Sequence, residues 1–173
     1  MILTFDTFLL EWIQEVLQNE TLDILFPFIT MLGNKGMLWI MIALFLFCFK
    51  QYRKLALTMI LSLILGLLLG NLILKPLVGR IRPFQANRFF NLLIPPPKDF
   101  SFPSGHTLSS FAAASVLLTE EKRMGIPAMI VAGLIAFSRL YLYVHYPSDV
   151  IAGIILGVLC GFAAKKIMKF FKS

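Results

Sequence analysis

The chain has 173 residues, of which 58% are hydrophobic and 14% charged, with a mean hydropathy of +0.83. These values exclude a disordered chain and a soluble globular domain, which has about 45 to 50% apolar and about 25% charged residues. They are typical of a membrane protein, and residues 1–173 are long enough for a single compact helical domain. In a membrane protein, a net charge of +7 is first explained by Lys and Arg residues that set the orientation in the membrane. No nucleic-acid partner is expected.

Residues 1–33 form an N-terminal segment that we expect to lie on or enter the membrane without crossing it. Up to Asn19, apolar side chains recur at intervals of three and four, the spacing of one helical face. The apolar face comprises Phe5, Phe8, Leu9, Trp12, Ile13, Val16 and Leu17, and the opposite face comprises Asp6, Glu11, Glu15 and Gln18. This pattern predicts an amphipathic interfacial helix and argues against a secretory signal.

Six further apolar segments follow, of which the first is short. Thr21 to Leu32 contains Asp23 and Pro27 and would reach about 18 Å as a helix, short of the ~30 Å hydrocarbon core, so we expect a re-entrant or interfacial piece. The five stronger segments are Met37 to Phe49, Leu55 to Leu74, Thr107 to Thr119, Ile126 to Val144 and Val150 to Ala164. The sequence therefore predicts an all-α integral membrane protein, a compact bundle of five to six transmembrane helices.

The basic residues predict the orientation of this bundle. If the five strong segments alternate, three basic clusters fall on one side, which the positive-inside rule assigns to the cytoplasm. The clusters are Lys50, Arg53 and Lys54; Lys122 and Arg123; and Lys165, Lys166, Lys169 and Lys172. The C-terminus is then cytoplasmic and the long loop at 75–106 extracytoplasmic. This loop nevertheless carries Arg80, Arg82, Arg88 and Lys98, which need a reason other than topology.

Both histidines of the chain, His106 and His145, lie at the outer edges of apolar segments. The run Pro103-Ser104-Gly105 before His106 is typical of a helix start, where glycine lets a ligand approach the backbone. Pro147 marks a second helix start after His145, and Asp149 follows that histidine by four residues, a spacing that can hold the imidazole in one tautomer. Because helix N-termini bind anions, the two histidines can face one anion.

Cations complete this predicted anion site. Arg139 lies inside the fourth strong segment, where a lone charge is costly and usually functional. The cations after the second segment are Lys75, Arg80, Arg82 and Arg88. Because arginine forks match phosphate oxygens two at a time, the residues predict a phosphate pocket at the outer membrane surface, with a nucleophile or an acid–base pair.

The same residues spell three motifs, and through them the chain resembles the type 2 phosphatidic acid phosphatase superfamily of membrane-integrated lipid phosphate phosphatases. The motifs are Lys75, six residues, Arg82-Pro83; then Pro103-Ser104-Gly105-His106; then Ser138-Arg139, five residues, His145, three residues and Asp149. The match covers about a dozen residues directly, and helix order and the long loop extend it over most of the chain. The chain departs from many members at its start, where they have an additional full span.

The resemblance implies a double displacement that uses no metal or other cofactor. His145 would attack phosphorus and become phosphohistidine, with Asp149 orienting it, while His106 would protonate the leaving oxygen and then activate water. The phosphoryl oxygens would be bound by Lys75, Arg82, Ser104, the Gly105 N–H and Arg139. The expected substrate is a lipid phosphate or diphosphate in the outer leaflet, with undecaprenyl diphosphate as first choice by analogy, then phosphatidylglycerophosphate or phosphatidate. Apart from membrane lipids, no obligatory protein partner is expected.

The same residues leave three alternatives open: a metal site, a lipid transporter, and headgroup contacts for two of the arginines. His106, His145 and Asp149 could form a 2-His-1-carboxylate metal site, although the nearby cations would repel a divalent ion. A phosphate-lipid transporter or scramblase would also use intramembrane arginine and helix ends, but would not need two histidines and an aspartate in this arrangement. Arg80 and Arg88 could simply contact lipid headgroups and are not assigned to the site.

Overall fold

The computed structural model describes residues 2–87 and 91–170, with the side chains of the first helix described from Thr4 onward. Arg88 and Lys172, named above for the loop and the C-terminal cluster, lie outside these residues. Within the described part of the chain, all regular structure is helical. The predicted all-α class is therefore confirmed.

The helices follow the apolar segments of the sequence. They are α1 (Ile2–Leu17), α2 (Glu20–Leu32), α3 (Met37–Phe47), α4 (Arg53–Gly66), α5 (Lys75–Val78), α6 (Pro83–Ala86), α7 (Gly105–Glu120), α8 (Lys122–Tyr141) and α9 (Pro147–Phe170). A π-helical stretch at Leu67–Leu74 joins α4 to α5 without interruption. The described part of the long loop predicted at 75–106 therefore contains two short helices, α5 and α6.

Length and apolar composition qualify three stretches of the described residues as membrane spans: Lys50–Ala86, Lys122–Tyr141 and Pro147–Phe170. The pair α2 and Asn34–Phe47 qualifies only together and is bent by 41° at the break between its halves, so it is a broken span or a re-entrant loop. The total is three, or four with this pair, compared with the five to six predicted. α7 does not qualify because its 16 residues reach only about 24 Å.

α7 lies instead in the middle of the bundle, packed against α4, α8 and α9. Most of its residues are Gly, Ala, Ser or Thr, and the run from Ala112 to Leu117 is buried throughout. α9 approaches it closely at Gly157, where an added Cβ would lie 2.6 Å from the Leu108 carbonyl oxygen. This close packing brings the starts of α7 and α9, which carry the two histidine motifs, to the same end of the bundle.

α1 is helical as predicted, but the assignment of Asp6 to its polar face is wrong. Glu11 and Glu15 are exposed, whereas Asp6 is 1% exposed and shares the inward face with Leu10 and Ile13. The outward face carries Phe5, Phe8, Trp12 and Val16. Asp6 points inward because its carboxylate pairs with an arginine of the long loop, described below.

Candidate active site

A cavity of about 1000 Å³ lies where the break between α2 and α3 meets the π-helical end of α4 and the first turn of α7. Its polar lining includes Lys75, Arg82, Asp99, His106, Arg139 and His145. Its apolar lining includes Ile40, Ile60, Leu63, Ile64 and Leu67. Two histidines and three predicted cations thus share one cavity with a hydrophobic extension along α4.

Six of the eight predicted site residues line this cavity: Lys75, Arg82, Gly105, His106, Arg139 and His145. The other two lie behind it. Ser104 is fully buried, and its Oγ accepts a hydrogen bond from Thr107 Oγ1 at 2.9 Å. Asp149 is also fully buried, next to the His145 ring. The phosphate-binding role assigned to Ser104 therefore stays a prediction, while Asp149 is close enough to orient the histidine.

His145 is held between a cation and a carboxylate. Its Nε2 lies 3.1 Å from Arg82 Nη1, and because a guanidinium only donates hydrogen bonds, this contact requires an unprotonated Nε2. The Nδ1 proton then faces Asp149 Oδ2 at 3.6 Å and Ser101 Oγ at 3.5 Å. Burial, and after it the Arg82 charge, lowers the pKa of His145 well below its ordinary value of 6.5. The imidazole is therefore neutral at pH 7, with a lone pair on the nitrogen that faces Arg82.

The Asp149 carboxylate is fixed by three donors. Oδ2 accepts hydrogen bonds from Ser101 Oγ at 2.5 Å and from the Tyr146 backbone N–H at 2.9 Å. Oδ1 accepts one from Arg80 Nη1 at 2.6 Å. With its oxygens held on several sides, the carboxylate has little freedom to turn away from His145.

Arg80 belongs to this site, and the expectation that it could simply meet lipid headgroups is wrong. One guanidinium nitrogen binds Asp149, and the other donates to Asp6 Oδ2 at 2.6 Å. The guanidinium carbon lies 4.0 Å from the Tyr146 ring centroid, a cation–π distance. Asp6 in turn accepts hydrogen bonds from the backbone N–H and the hydroxyl of Ser148, at 2.9 and 2.5 Å. The N-terminal helix is thereby joined to the start of α9.

His106 occupies the first turn of α7 and contacts the break between α2 and α3. Its Nε2 lies 2.9 Å from Asn34 Oδ1, so that nitrogen carries the proton when the amide oxygen accepts. The ring packs on Gly33, where an added Cβ would lie 2.6 Å from the imidazole Cδ2. The break therefore supplies both the space and the hydrogen bond that orient this ring.

Arg139 lines the cavity, and one of its buried donor atoms makes no hydrogen bond within the part of the chain that the structure describes. Its side chain is 2% exposed, and Nη1 donates a hydrogen bond to Thr30 Oγ1. Its Nε is buried with no hydrogen-bond partner among the described residues. An unsatisfied buried donor is costly, and the residue that carries it is one of those that line the cavity.

The other two cations share a carboxylate. Asp99 Oδ1 accepts a hydrogen bond from Arg82 Nη2 at 2.7 Å, and Oδ2 binds Lys75 Nζ. Burial alone would raise the pKa of Asp99, but the hydrogen bonds and charges of Lys75 and Arg82 outweigh it and lower this pKa to about 2. Asp99 is therefore an anion at any working pH.

The metal-site alternative finds no matching geometry. Among the described residues, no group of three or more His, Cys, Asp or Glu side chains is placed to hold a metal ion. His106, His145 and Asp149 do not form such a group, because Asp149 stands behind His145 and outside the cavity lining.

Sequence reasoning left Arg80 unassigned and missed several other residues that shape the site: Asp6, Gly33, Asn34, Asp99 and Ser101. Only Asp99 carried a visible signal, since it is the one acidic residue between Lys75 and His106. The contacts of Asp6 and Asn34 join segments that are far apart in the chain, and no local spacing predicts them.

The chain is similar to known proteins in both sequence and fold. A model of the PAP2 superfamily matches residues 51–173, which include all three motifs. The chain is 38% identical to the undecaprenyl-diphosphatase of Sulfolobus acidocaldarius over 151 residues, 87% of this chain and 72% of that protein. It is 33% identical to undecaprenyl-diphosphatase BcrC of Bacillus subtilis over 144 residues, 83% of this chain and 74% of that protein. Its fold is similar to the crystal structure of Aquifex aeolicus LpxE, with a TM-score of 0.83 and 31% identity, covering 94% of this chain and 95% of that chain.

Proposed function

The chain belongs to the PAP2 superfamily, and from this premise we propose that it is a hydrolase that removes phosphate from a lipid phosphate or lipid diphosphate, with undecaprenyl diphosphate as the favoured substrate. One observation carries the proposal. His106 and His145 line the same cavity as Lys75, Arg82 and Arg139, so a phosphoryl group in it would meet a nucleophile, an acid and three cations. The undecaprenyl-diphosphatases named above support the choice of lipid.

The shape of the cavity supports a lipid over a soluble phosphate ester. Lys75 and Ile60 lie 15 residues apart on one continuous helical stretch, a distance of about 20 Å. Between them Asn71 is the one polar lining residue among those described, and the apolar Ile64 and Leu67 are also exposed on the outer surface. A phosphate at the cation end would therefore extend its organic group along a hydrophobic wall that meets the membrane.

In the first chemical step, His145 Nε2 attacks the terminal phosphorus. A P–N bond forms and the bond from phosphorus to the leaving oxygen breaks, while His106 in its doubly protonated imidazolium form gives one ring proton to that oxygen and becomes neutral. The negative charges of the bound phosphate favour this protonated form. The phosphorylated imidazole carries a positive charge, and its Nδ1 proton faces the Asp149 carboxylate, which stabilises it. For a diphosphate, the leaving group is the lipid monophosphate.

In the second step, water attacks the phosphohistidine. His106 takes a proton from the water, the P–N bond breaks, and inorganic phosphate leaves. Throughout both steps the positive charges of Lys75, Arg82 and Arg139 offset the charge on the phosphoryl oxygens. The cycle returns both histidines to their starting state.

We further propose that the site faces the outside of the cell. α7, α8 and α9 each carry site residues at one end and basic or acidic residues at the other. Lys165 of α9 and Glu120 of α7 lie 3.0 Å apart at that second end. Because the basic clusters lie at this end, the positive-inside rule makes it cytoplasmic.

Release of inorganic phosphate by the purified protein in neutral detergent tests the function. We expect turnover of undecaprenyl diphosphate with a kcat/KM above those of phosphatidylglycerophosphate and phosphatidate, undiminished by EDTA, and lost in His145→Ala. A transporter would release no phosphate in detergent yet move its substrate across vesicles. Loss of activity in EDTA with recovery on adding one divalent metal would contradict the phosphohistidine mechanism.

A further inference from the structure

Asp99 forms ion pairs with two of the cations that line the cavity, Lys75 and Arg82. Its carboxylate bridges Lys75 Nζ and Arg82 Nη2, and its backbone carbonyl accepts a third hydrogen bond from Arg82 Nε at 2.8 Å. The side chains of Lys75 and Arg82 are 7% and 2% exposed, whereas that of Asp99 is 54% exposed. The carboxylate therefore lies over buried cations from the outer side, as an anionic ligand would.

This placement allows the carboxylate to leave without unfolding the loop. The backbone of Asp99 stays attached through Arg82 Nε, and the neighbouring Ser101 N–H donates to the Arg80 carbonyl at 2.8 Å. Rotation of the Asp99 side chain alone would release both cations, and the carboxylate would move into water that already reaches half of it.

A cation-rich cavity in a membrane faces a problem of selectivity. Among the described residues that line the cavity, Lys35, Lys75, Arg82 and Arg139 are cationic and only Asp99 is acidic. The bulk phospholipids of a membrane carry phosphate diesters, each with one negative charge on the phosphate, at a surface concentration far above that of any phosphorylated intermediate. Without a competing anion, the cavity would attract these diesters.

We propose that Asp99 sets the anion specificity of the site, by holding Lys75 and Arg82 until a phosphate monoester or diphosphate displaces it. This inference rests on the proposed function. When a phosphate diester displaces the Asp99 carboxylate, one negative charge replaces another, and the electrostatic attraction to Lys75 and Arg82 does not increase. Exchanging the carboxylate for a monoester or diphosphate brings two or more charges to the same cations, so displacement is favourable.

The test compares Asp99→Asn, which keeps the shape and removes the charge, with Asp99→Glu, which keeps the charge. Glu11→Gln removes one negative charge from an exposed position on α1 and serves as the matched control. Binding is measured as the rise in Tm of purified protein in neutral detergent at pH 8. The ligands are inorganic phosphate, dioleoylphosphatidylglycerol as the anionic diester, and dioleoylphosphatidylcholine as the neutral diester.

We expect phosphate to stabilise the wild type and phosphatidylglycerol to do no more than phosphatidylcholine. Asp99→Asn should bind phosphate about tenfold more tightly and acquire stabilisation by phosphatidylglycerol, because the internal competitor is gone. Asp99→Glu and Glu11→Gln should behave as the wild type does. If Asp99→Asn does not fold, Asp99→Ser removes the same charge and takes its place.

Two results would overturn the inference: equal stabilisation of wild type and Asp99→Asn by phosphatidylglycerol, or weaker phosphate binding in Asp99→Asn. These outcomes are separate from failure of the proposed function. A wild type that binds phosphate selectively but hydrolyses no lipid phosphate would contradict the function and leave the specificity intact. A wild type that turns over its lipid but whose Asp99→Asn variant stays indifferent to phosphatidylglycerol would contradict only the specificity.

Discussion

Arg80 Nη1 donates a 2.6 Å hydrogen bond to Asp149 Oδ1, so the carboxylate expected to orient the nucleophile is itself held by an arginine. The other terminal nitrogen of the Arg80 guanidinium, Nη2, donates a hydrogen bond to Asp6 Oδ2 of the N-terminal helix. Asp6 and Asp149 are 1% and 0% exposed, and buried charges of this kind are tolerated only when they are paired. We therefore expect Arg80 and Asp6 to be positioning residues, which would act on the reaction through Asp149.

Asp6→Asn should lower kcat by roughly ten- to a hundredfold with little change in KM, because a small displacement of His145 affects the chemical step more than lipid binding. Glu11→Gln, an exposed acid on the same helix, should leave both constants unchanged. Arg80→Lys should also be slower than the wild type. A lysine ammonium has one nitrogen and cannot bind the Asp6 and Asp149 carboxylates through two separate nitrogens, as the guanidinium does. A fall in Tm with kcat unchanged at temperatures where both proteins are folded would limit Asp6 to a structural role.

Gly33→Ala should slow turnover by about a hundredfold, since the new Cβ would lie 2.6 Å from the His106 ring and 2.8 Å from Ile135. Gly133→Ala is the matched control, because a Cβ at that position meets no heavy atom within 4 Å. The measurement is the steady-state rate of phosphate release by both variants. Equal rates for the two would mean that the ring position depends on something other than the break between α2 and α3.

The stability of the protein should depend on pH through His145. Its pKa in the folded protein lies well below 6.5, whereas in the unfolded chain it is about 6.5. As pH falls below about 6.5, the unfolded state binds more protons than the folded state, and the free energy of unfolding decreases. We expect the Tm to fall in this range, and to fall less steeply in His145→Gln. Identical slopes for the two proteins would contradict the assignment of a neutral, buried imidazole.

The proposed orientation can be measured by cysteine labelling. In a background without Cys48 and Cys160, a cysteine replacing Asn87, which is exposed in the long loop, should react with an impermeant thiol reagent on intact cells. A cysteine replacing Lys54, in the first basic cluster, should react only after lysis. The reverse pattern would place the site on the cytoplasmic side.

The catalytic motifs could be predicted because their chemistry is local in the sequence. Two helix starts with Pro, a histidine at each, and an aspartate four residues beyond His145 are recognised from local helical geometry. That the two starts meet depends on the packing of α9 against α7. Asp6 was assigned to the wrong face because α1 was interpreted as an isolated amphipathic helix, and only the ion pair with Arg80 overrides that pattern. The contact of Asn34 with His106 joins positions 72 residues apart, which depends on how the helices pack and cannot be inferred from spacing.

The central claim, that His145 is the nucleophile and His106 the acid and base, is tested most directly by trapping the phosphoenzyme. A lipid phosphate with a good leaving group needs little protonation, so His106→Ala should still phosphorylate His145 and then accumulate an acid-labile phosphoenzyme, because the water has lost its base. His145→Ala should form none. We expect the phosphate to map to His145 in the trapped His106→Ala protein. A phosphoenzyme that survives in His145→Ala, or wild-type phosphate that maps to His106, would contradict the account.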